Sequence, residues 1–420
     1  MKHLNFIKPS IIILLALCSI VKSQQLRRRL QNETDVDISK LRYLTLEASA
    51  TWGATLPDRT TGYPYQLSPN VTNLAIRASG PNYPSICLQS MIGDAIYDVI
   101  VLEFLMGCGE GLDKLSMRLR QRFPEAIIIL NIMWVPLLIA GKDTKGEDTS
   151  FYSVYQKYRT MSPDIIKNEF TEIDLNRPVM THLLNYHEKI KNDIDAYYFG
   201  MEEITTPEWK NKDWIADRLS LYNDPPHYSQ KGHDFIANGI KDLLRKLQPK
   251  PSNNLGTFGE GDSCHMWYSS GKVTVDYSPK EEIKLNEFAP VKYALEIPSQ
   301  GGEFVINNPF SSERNLMMSY MSTGPDHTMY PDAEITINGA FDKQVKIHPL
   351  ATDYKHKVHI SKTTNLGKIP PGDNNVHIKP LEMNDELVSF PFRVVALSVV
   401  GDADPNGNFA AGGSLSIFDK

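Results

Sequence analysis

The sequence predicts an α/β domain with a parallel sheet, followed by an all-β sandwich, and three observations predict it. Over residues 41–250, apolar strand-like runs alternate with segments of helical spacing, the pattern of strands crossing over through helices. From residue 264 onward, short alternating runs recur between Gly, Pro, Asn and Asp turn signals, with no long helical stripe among them. At 420 residues, the chain also exceeds the size at which one hydrophobic core stops growing.

The elements follow in order. Residues 1–23, "MKHLNFIKPSIIILLALCSIVKS", combine a lysine-bearing start, an apolar run from Ile11 to Val21, and Val21 and Ser23 at the −3 and −1 positions of a cleavage site. This reads as a secretory signal, too short in its apolar run to span a bilayer comfortably. Residues 24–40, with the basic cluster Arg27–Arg29, form an N-terminal linker. "LRYLTL" at 41–46 is a first strand and leads into "EASATWGATLPDR". "YDVIVLEFL" is a buried-strand candidate, and "GEGLDKLSMRLRQRF" sets Leu112, Leu115, Leu119 and Phe123 on one helical face. "AIIILNIMWV" is a third strand, rich in β-branched residues. Residues 152–170 and 235–247 have helical spacing, the latter through Ile236, Ile240, Leu243 and Leu247.

Residues 251–263 concentrate Pro, Gly and Asn and read as a linker between domains. Residues 264–420 supply the strands "KVTVDYS", "KYALEI", "EFVINN", "NLMMSYM", "AEITING", "HKVHIS", "NNVHIKP" and "FRVVALSVV". The segment ending near Leu247 is expected to close its own core and fold alone.

The formal net charge is −6, and loss of residues 1–23 with Lys2, Lys8 and Lys22 makes it three units more negative. Such an acidic balance argues against nucleic-acid binding. Once the signal is removed, no later run has the character of a membrane span, so the expected product is secreted. The N-x-T tripeptides at Asn32 and Asn70 are candidate glycosylation sites, making the chain a candidate glycoprotein. Cys87, Cys108 and Cys264 remain, which in an oxidising compartment suggests one disulfide and one leftover thiol, with three pairings open. Nothing in the sequence indicates an oligomeric state.

The chemistry centres on "YNDPPHYSQKGHDFIANGI", which crowds Asp224 and His227 three residues apart just before a helix. Ser49 sits in the first strand-to-helix passage, at the carboxyl end of a strand, where open α/β sheets gather functional groups. A lone serine there would read as a helix cap. A serine hydroxyl becomes a useful nucleophile when an imidazole accepts its proton and a carboxylate orients that imidazole. Asp224 and His227 have the spacing for a tight loop to present them together, with Pro225 and Pro226 limiting its freedom.

"LEASATWGATL" resembles the first block of the SGNH, or GDSL, hydrolases, and "DPPHYSQKGHDFIANGI" is similar to their last block, D-x-x-H followed by Gly-His and a helix. "VTNLAIRASG" sits where their second block lies, so the resemblance spans residues 41–247. It implies a flavodoxin-like parallel sheet and an esterase without cofactor, with Ser49 as nucleophile, His227 as base, Asp224 as its orienting acid and Gly80 as an oxyanion donor.

Two positions depart from the family pattern. Glu47-Ala48-Ser49 stands where the family has Gly-Asp-Ser, and "LMGC" puts Gly107 where the oxyanion-stabilising Asn belongs. Losing one such donor costs on the order of 10² to 10³ in rate. Arg77 is a candidate substitute, set against a structural ion pair. His233 is read as packing or capping the helix, and Glu47 and Glu103 as either lining the cleft or solvated. His348, His356 and His359 are read as surface or edge residues.

No metal-ligand spacing, P-loop or strand-linked G-x-G-x-x-G appears. The reading is a serine esterase or acetyl-esterase acting on a small-molecule or polysaccharide ester. Its rival is a catalytically impaired, SGNH-like carbohydrate- or surface-binding protein presenting Trp267, Tyr268, Tyr320 or Tyr330 to sugars. Against the rival stands a core role for those aromatics.

Overall fold

In the computed structural model, the described residues are 37–77, 79–104, 110–133, 140–143, 148–149, 170–174, 177–200, 217–224, 226–247, 261–268, 276–277, 283–289, 292–323, 330–339, 344–349, 359–381 and 390–401. The signal candidate at 1–23, Asn32, Gly107, Cys108, Pro225, His356 and the predicted helix from Tyr152 lie outside them; Phe170, the last residue of that helix, begins a strand.

Five strands form a wholly parallel sheet: β1 (Tyr43–Glu47), β2 (Val71–Asn73), β3 (Val99–Glu103), β4 (Ile127–Asn131) and β5 (Tyr197–Phe199), in the order β2-β1-β3-β4-β5. β3 reads Val-Ile-Val-Leu-Glu and is buried throughout, as a strand covered on both faces must be.

Among the described residues, six α-helices accompany the sheet. They are α1 (Ser49–Trp52), α2 (Tyr63–Leu67), α3 (Asn82–Ile92), α4 (Glu110–Arg122), α5 (Arg177–Ile194) and α6 (Gln230–Lys246). α4 buries Leu112, Leu115 and Leu119, the stripe its spacing predicts. α6 buries Ile236, Ile240 and Leu244, while the predicted Leu243 and Leu247 are only partly buried at the margin of the same core.

The second half folds as two antiparallel sheets. The first comprises β6 (Asp262–Met266), β8 (Lys284–Ala289), β9 (Lys292–Ile297), β11 (Arg314–Ser322), β14 (Ile360–Ile369) and β16 (Phe392–Val400). The second comprises β7 (Asp276–Tyr277), β10 (Gly302–Asn308), β12 (Ala333–Ile337), β13 (Val345–Ile347) and β15 (Gly372–Pro380). β10 alternates buried and exposed along its whole length, the mark of a strand with one face in a core. Leu295, Phe304, Ile306, Leu316, Ile335, Ile378 and Val394, drawn from both sheets, share that core.

The two halves are bonded as well as packed. Cys87 on α3 and Cys264 on β6 form a disulfide with a Cα–Cα distance of 5.2 Å, which selects one of the three open pairings. Arg118 on α4 pairs with Asp262 at 2.6 Å, both side chains being nearly or wholly excluded from solvent. Ile76, Tyr83 and Ile86 form one buried cluster with Tyr268, Met317, Met321 and Val395.

Candidate active site

β1 ends at Glu47, and the chain turns at once into α1, so Ser49 opens a helix directly above the carboxyl end of the sheet. α1 is kept to four residues by Gly53, whose φ of 82° lies in the left-handed region that favours glycine. Asn73 at the end of β2 holds this turn from the side. Its amide donates to the Thr51 carbonyl at 3.2 Å, and its Oδ1 accepts from Thr45 and from the backbone of Ala75.

Asp224 and His227 lie opposite one another in a short antiparallel pair formed by Tyr222–Asp224 and His227–Tyr228. His227 Nδ1 is 2.7 Å from the Asp224 carboxylate, which also accepts the His227 backbone N–H at 2.9 Å. His227 Nε2 is 2.8 Å from Ser49 Oγ. The three side chains thus form one connected line, the arrangement that lets an imidazole take a hydroxyl proton.

Asp224 is not occupied with capping α6, because Ser229 is the N-cap and its hydroxyl accepts from Gly232 N–H. Gly232 is required for another reason. A Cβ there would run into the Leu221 carbonyl, so only glycine lets α6 pack this close to the segment that leads to Asp224.

Below this line lies a buried polar knot. Glu47 and Glu103 face each other across the β1–β3 register. Glu103 accepts from Thr51 Oγ1 at 2.6 Å, from Tyr63 OH at 3.2 Å and from Tyr228 OH in a short contact. Glu47 accepts the Thr51 backbone N–H at 2.7 Å. Glu103 is only 3% exposed, which corrects its reading as solvated, whereas Glu47 is half-buried at the end of β1. Burial raises the Glu103 carboxyl to about 7; burial and then the charge of Glu103 raise that of Glu47 well above the usual range. Thr51 stands two residues after Ser49 and Tyr228 one residue after His227, so Glu103 ties the helix bearing the serine to the strand bearing the histidine.

His233 is fully buried and accepts the Tyr63 backbone N–H at Nδ1, 3.2 Å away, so it packs rather than reacts. Burial lowers its pKa to about 4 and keeps the ring neutral. Gly80 is described and open, since a Cβ there would meet no atom within 4 Å. Arg77 has no ion pair among the described residues; its guanidinium lies 5.3 Å from the Trp52 ring centre. Trp267, Tyr268, Tyr320 and Tyr330 are all buried, so the core role holds for each of the aromatics considered for sugar binding. His348 is exposed beside Asp332 at 2.7 Å, and His359 is half-buried just before the edge strand β14 with its ring against Tyr330 and Phe390, in keeping with a surface or edge position for both. Among the described residues, no group of three or more His, Cys, Asp or Glu is placed to hold a metal ion.

The signals missed in the sequence are Asn73, Thr51, Tyr63 and Tyr228. A threonine two residues after the candidate nucleophile and a tyrosine next to the candidate base were visible, but their common acceptor was not.

No family model and no curated protein matches this sequence. Two solved structures of a two-domain esterase (CEX) active on acetylated mannans are similar to it in fold, one of them co-crystallized with mannopentaose. Both are 12% identical, with TM-scores of 0.52 and 0.53, and the match covers 86% of this chain and 91% of theirs. The shared architecture is the parallel α/β sheet followed by antiparallel β sheets.

Proposed function

We propose that this protein is a serine esterase that hydrolyses an acyl ester, with an acetyl ester on a carbohydrate as the preferred candidate. The observation that carries this reading is the line from Ser49 Oγ through His227 to Asp224, with spacings of 2.8 and 2.7 Å. In the proposed cycle, His227 Nε2 takes the Ser49 proton as Oγ attacks the acyl carbon. The protonated ring then gives that proton to the leaving alcohol, and Asp224 stabilises the imidazolium in between. Water, activated by the same nitrogen, attacks the acyl-enzyme, releases the acid and restores Ser49.

For the oxyanion, the reading uses the backbone N–H of Ser49, which as the first residue of a helix has no intrahelical acceptor. Gly80 N–H is the second donor in this reading. The carbohydrate half is supported by the fold shared with an esterase active on acetylated mannans. The burial of Trp267, Tyr268, Tyr320 and Tyr330 counts against these aromatics as a sugar-presenting surface, which favours the esterase reading over a purely sugar-binding protein.

The Cys87–Cys264 bond supports passage through an oxidising compartment, and Asn70 is exposed just before β2. We therefore propose export with a glycan at Asn70 or Asn32. Export can be checked by N-terminal sequencing of the secreted product, which should start near Gln24, and by glycosidase treatment. The activity is tested by release of acetate from p-nitrophenyl acetate and acetylated mannan, together with labelling of Ser49 by a fluorophosphonate. Neither turnover nor labelling across a broad ester panel would overturn it.

A further inference from the structure

At the seam between the two halves, a second set of side chains has no part in the chemistry above. Lys292 opens β9 and is only 7% exposed, yet among the described residues no carboxylate pairs with it; its ammonium lies 5.7 Å from the centre of the Tyr268 ring. Tyr268 in turn donates its hydroxyl to the carbonyl of Arg77 at 3.0 Å. The guanidinium of Arg77, also without a carboxylate partner among the described residues, points back to α1, 5.3 Å from the Trp52 ring. Trp52 is three residues beyond Ser49, about one helical turn away.

This arrangement goes against the usual handling of buried charge. Buried cations are normally paired, because removing one from water without a counter-charge costs several kcal/mol or more. Two other buried cations have carboxylate partners, Arg118 on Asp262 and Arg393 on Glu296, each at about 2.7 Å or less, and buried Arg120 is met by backbone carbonyls. Lys292 and Arg77 instead oppose one another, since burial and then the charge of Arg77 lower the lysine to about 8.

We propose that Lys292 and Arg77 form an anion subsite at the domain seam, one helical turn from Ser49, which takes a carboxylate or sulfate group borne by the glycan that carries the ester. Assigning the anion to the substrate rests on the ester-hydrolase reading; the subsite itself does not. An ammonium and a guanidinium from different domains would give charge-assisted hydrogen bonds to one anion.

The test uses the full-length Ser49→Ala protein, so that binding is read without turnover. Isothermal titration compares trigalacturonic acid and a sulfated disaccharide with neutral mannotriose. The expected result is at least about tenfold tighter binding of one charged ligand than of mannotriose, lost by about tenfold in Lys292→Met. Arg77→Gln, which changes the less buried cation, should weaken it likewise, and Arg77→Lys should retain most of it. Response to trigalacturonate or to the sulfated sugar tells carboxylate from sulfate. Equal affinity for charged and neutral sugars, or no binding of any, overturns the proposal. So does unchanged binding in either charge-removing variant whose circular dichroism matches the parent. Anion binding alongside a wild-type protein that neither turns over a broad ester panel nor is labelled by a fluorophosphonate keeps the subsite and sinks the ester reading; turnover without anion binding does the reverse.

Discussion

Ser49 Oγ and His227 Nε2 stand 2.8 Å apart although 178 residues separate them in the chain. Each arrives on a different element of the same fold: the serine on the helix that leaves the interior strand β1, the histidine on a short strand outside the parallel sheet, just before α6. Their contact is therefore a product of the whole α/β domain, and the ester reading stands or falls with it.

Ser49→Ala and His227→Ala should each lower ester turnover by about 10⁴-fold or more, with the double variant little worse than either. Asp224→Asn should cost less than Ser49→Ala, because an asparagine still contacts the ring without stabilising its cation. Turnover kinetics on p-nitrophenyl acetate, with circular dichroism to show intact folding, check this. Undiminished activity in Ser49→Ala would remove the serine mechanism.

The buried carboxyl of Glu103 predicts a pH signature. Its folded pKa, about 7, lies above the value of 4.5 for a free glutamate, so the folded state holds a proton that the unfolded state releases. That contribution is fully present below about pH 4.5 and is lost as pH rises toward 7. Glu103→Gln, which stays neutral, should lose less stability than wild type over this window. Urea melts of both proteins at pH 4.5, 6 and 7.5 measure the difference; equal pH slopes would refute it.

The seam makes a prediction about stability. Asp262→Ala would leave Arg118 buried without its carboxylate, and breaking such a pair costs about 3–5 kcal/mol. It would also remove the acceptor for the backbone N–H of Gln89. A denaturant midpoint within error of wild type would show that the bridge contributes nothing.

Gly232→Ala is a conservative change that should act strongly. Its methyl group would meet the Leu221 carbonyl, so α6 must shift away from the segment that positions Asp224. The expected outcome is a loss of turnover together with a lower melting temperature, whereas Gly80→Ala, whose methyl meets open space, should leave the melting temperature nearly unchanged.

What the sequence alone determined was local. The alternation of β3, α4 and β4 is written in near-neighbour periodicity, as are the β strands from Lys292 to Val400, because a strand or helix face is set by spacings of two to four residues. Asp224 and His227 were legible for the same reason, since a turn brings side chains three apart together. Tertiary structure decided everything that depends on distant partners. It chose Cys87–Cys264 among the three pairings, buried Trp267 and Tyr268 rather than presenting them, and moved Glu103 from a supposed cleft or solvent position into a knot with Thr51, Tyr63 and Tyr228. Those outcomes follow from which surfaces meet when the sheet and the sandwich close, and a contact across 125 residues, such as that of Glu103 with Tyr228, leaves no periodic trace in the chain.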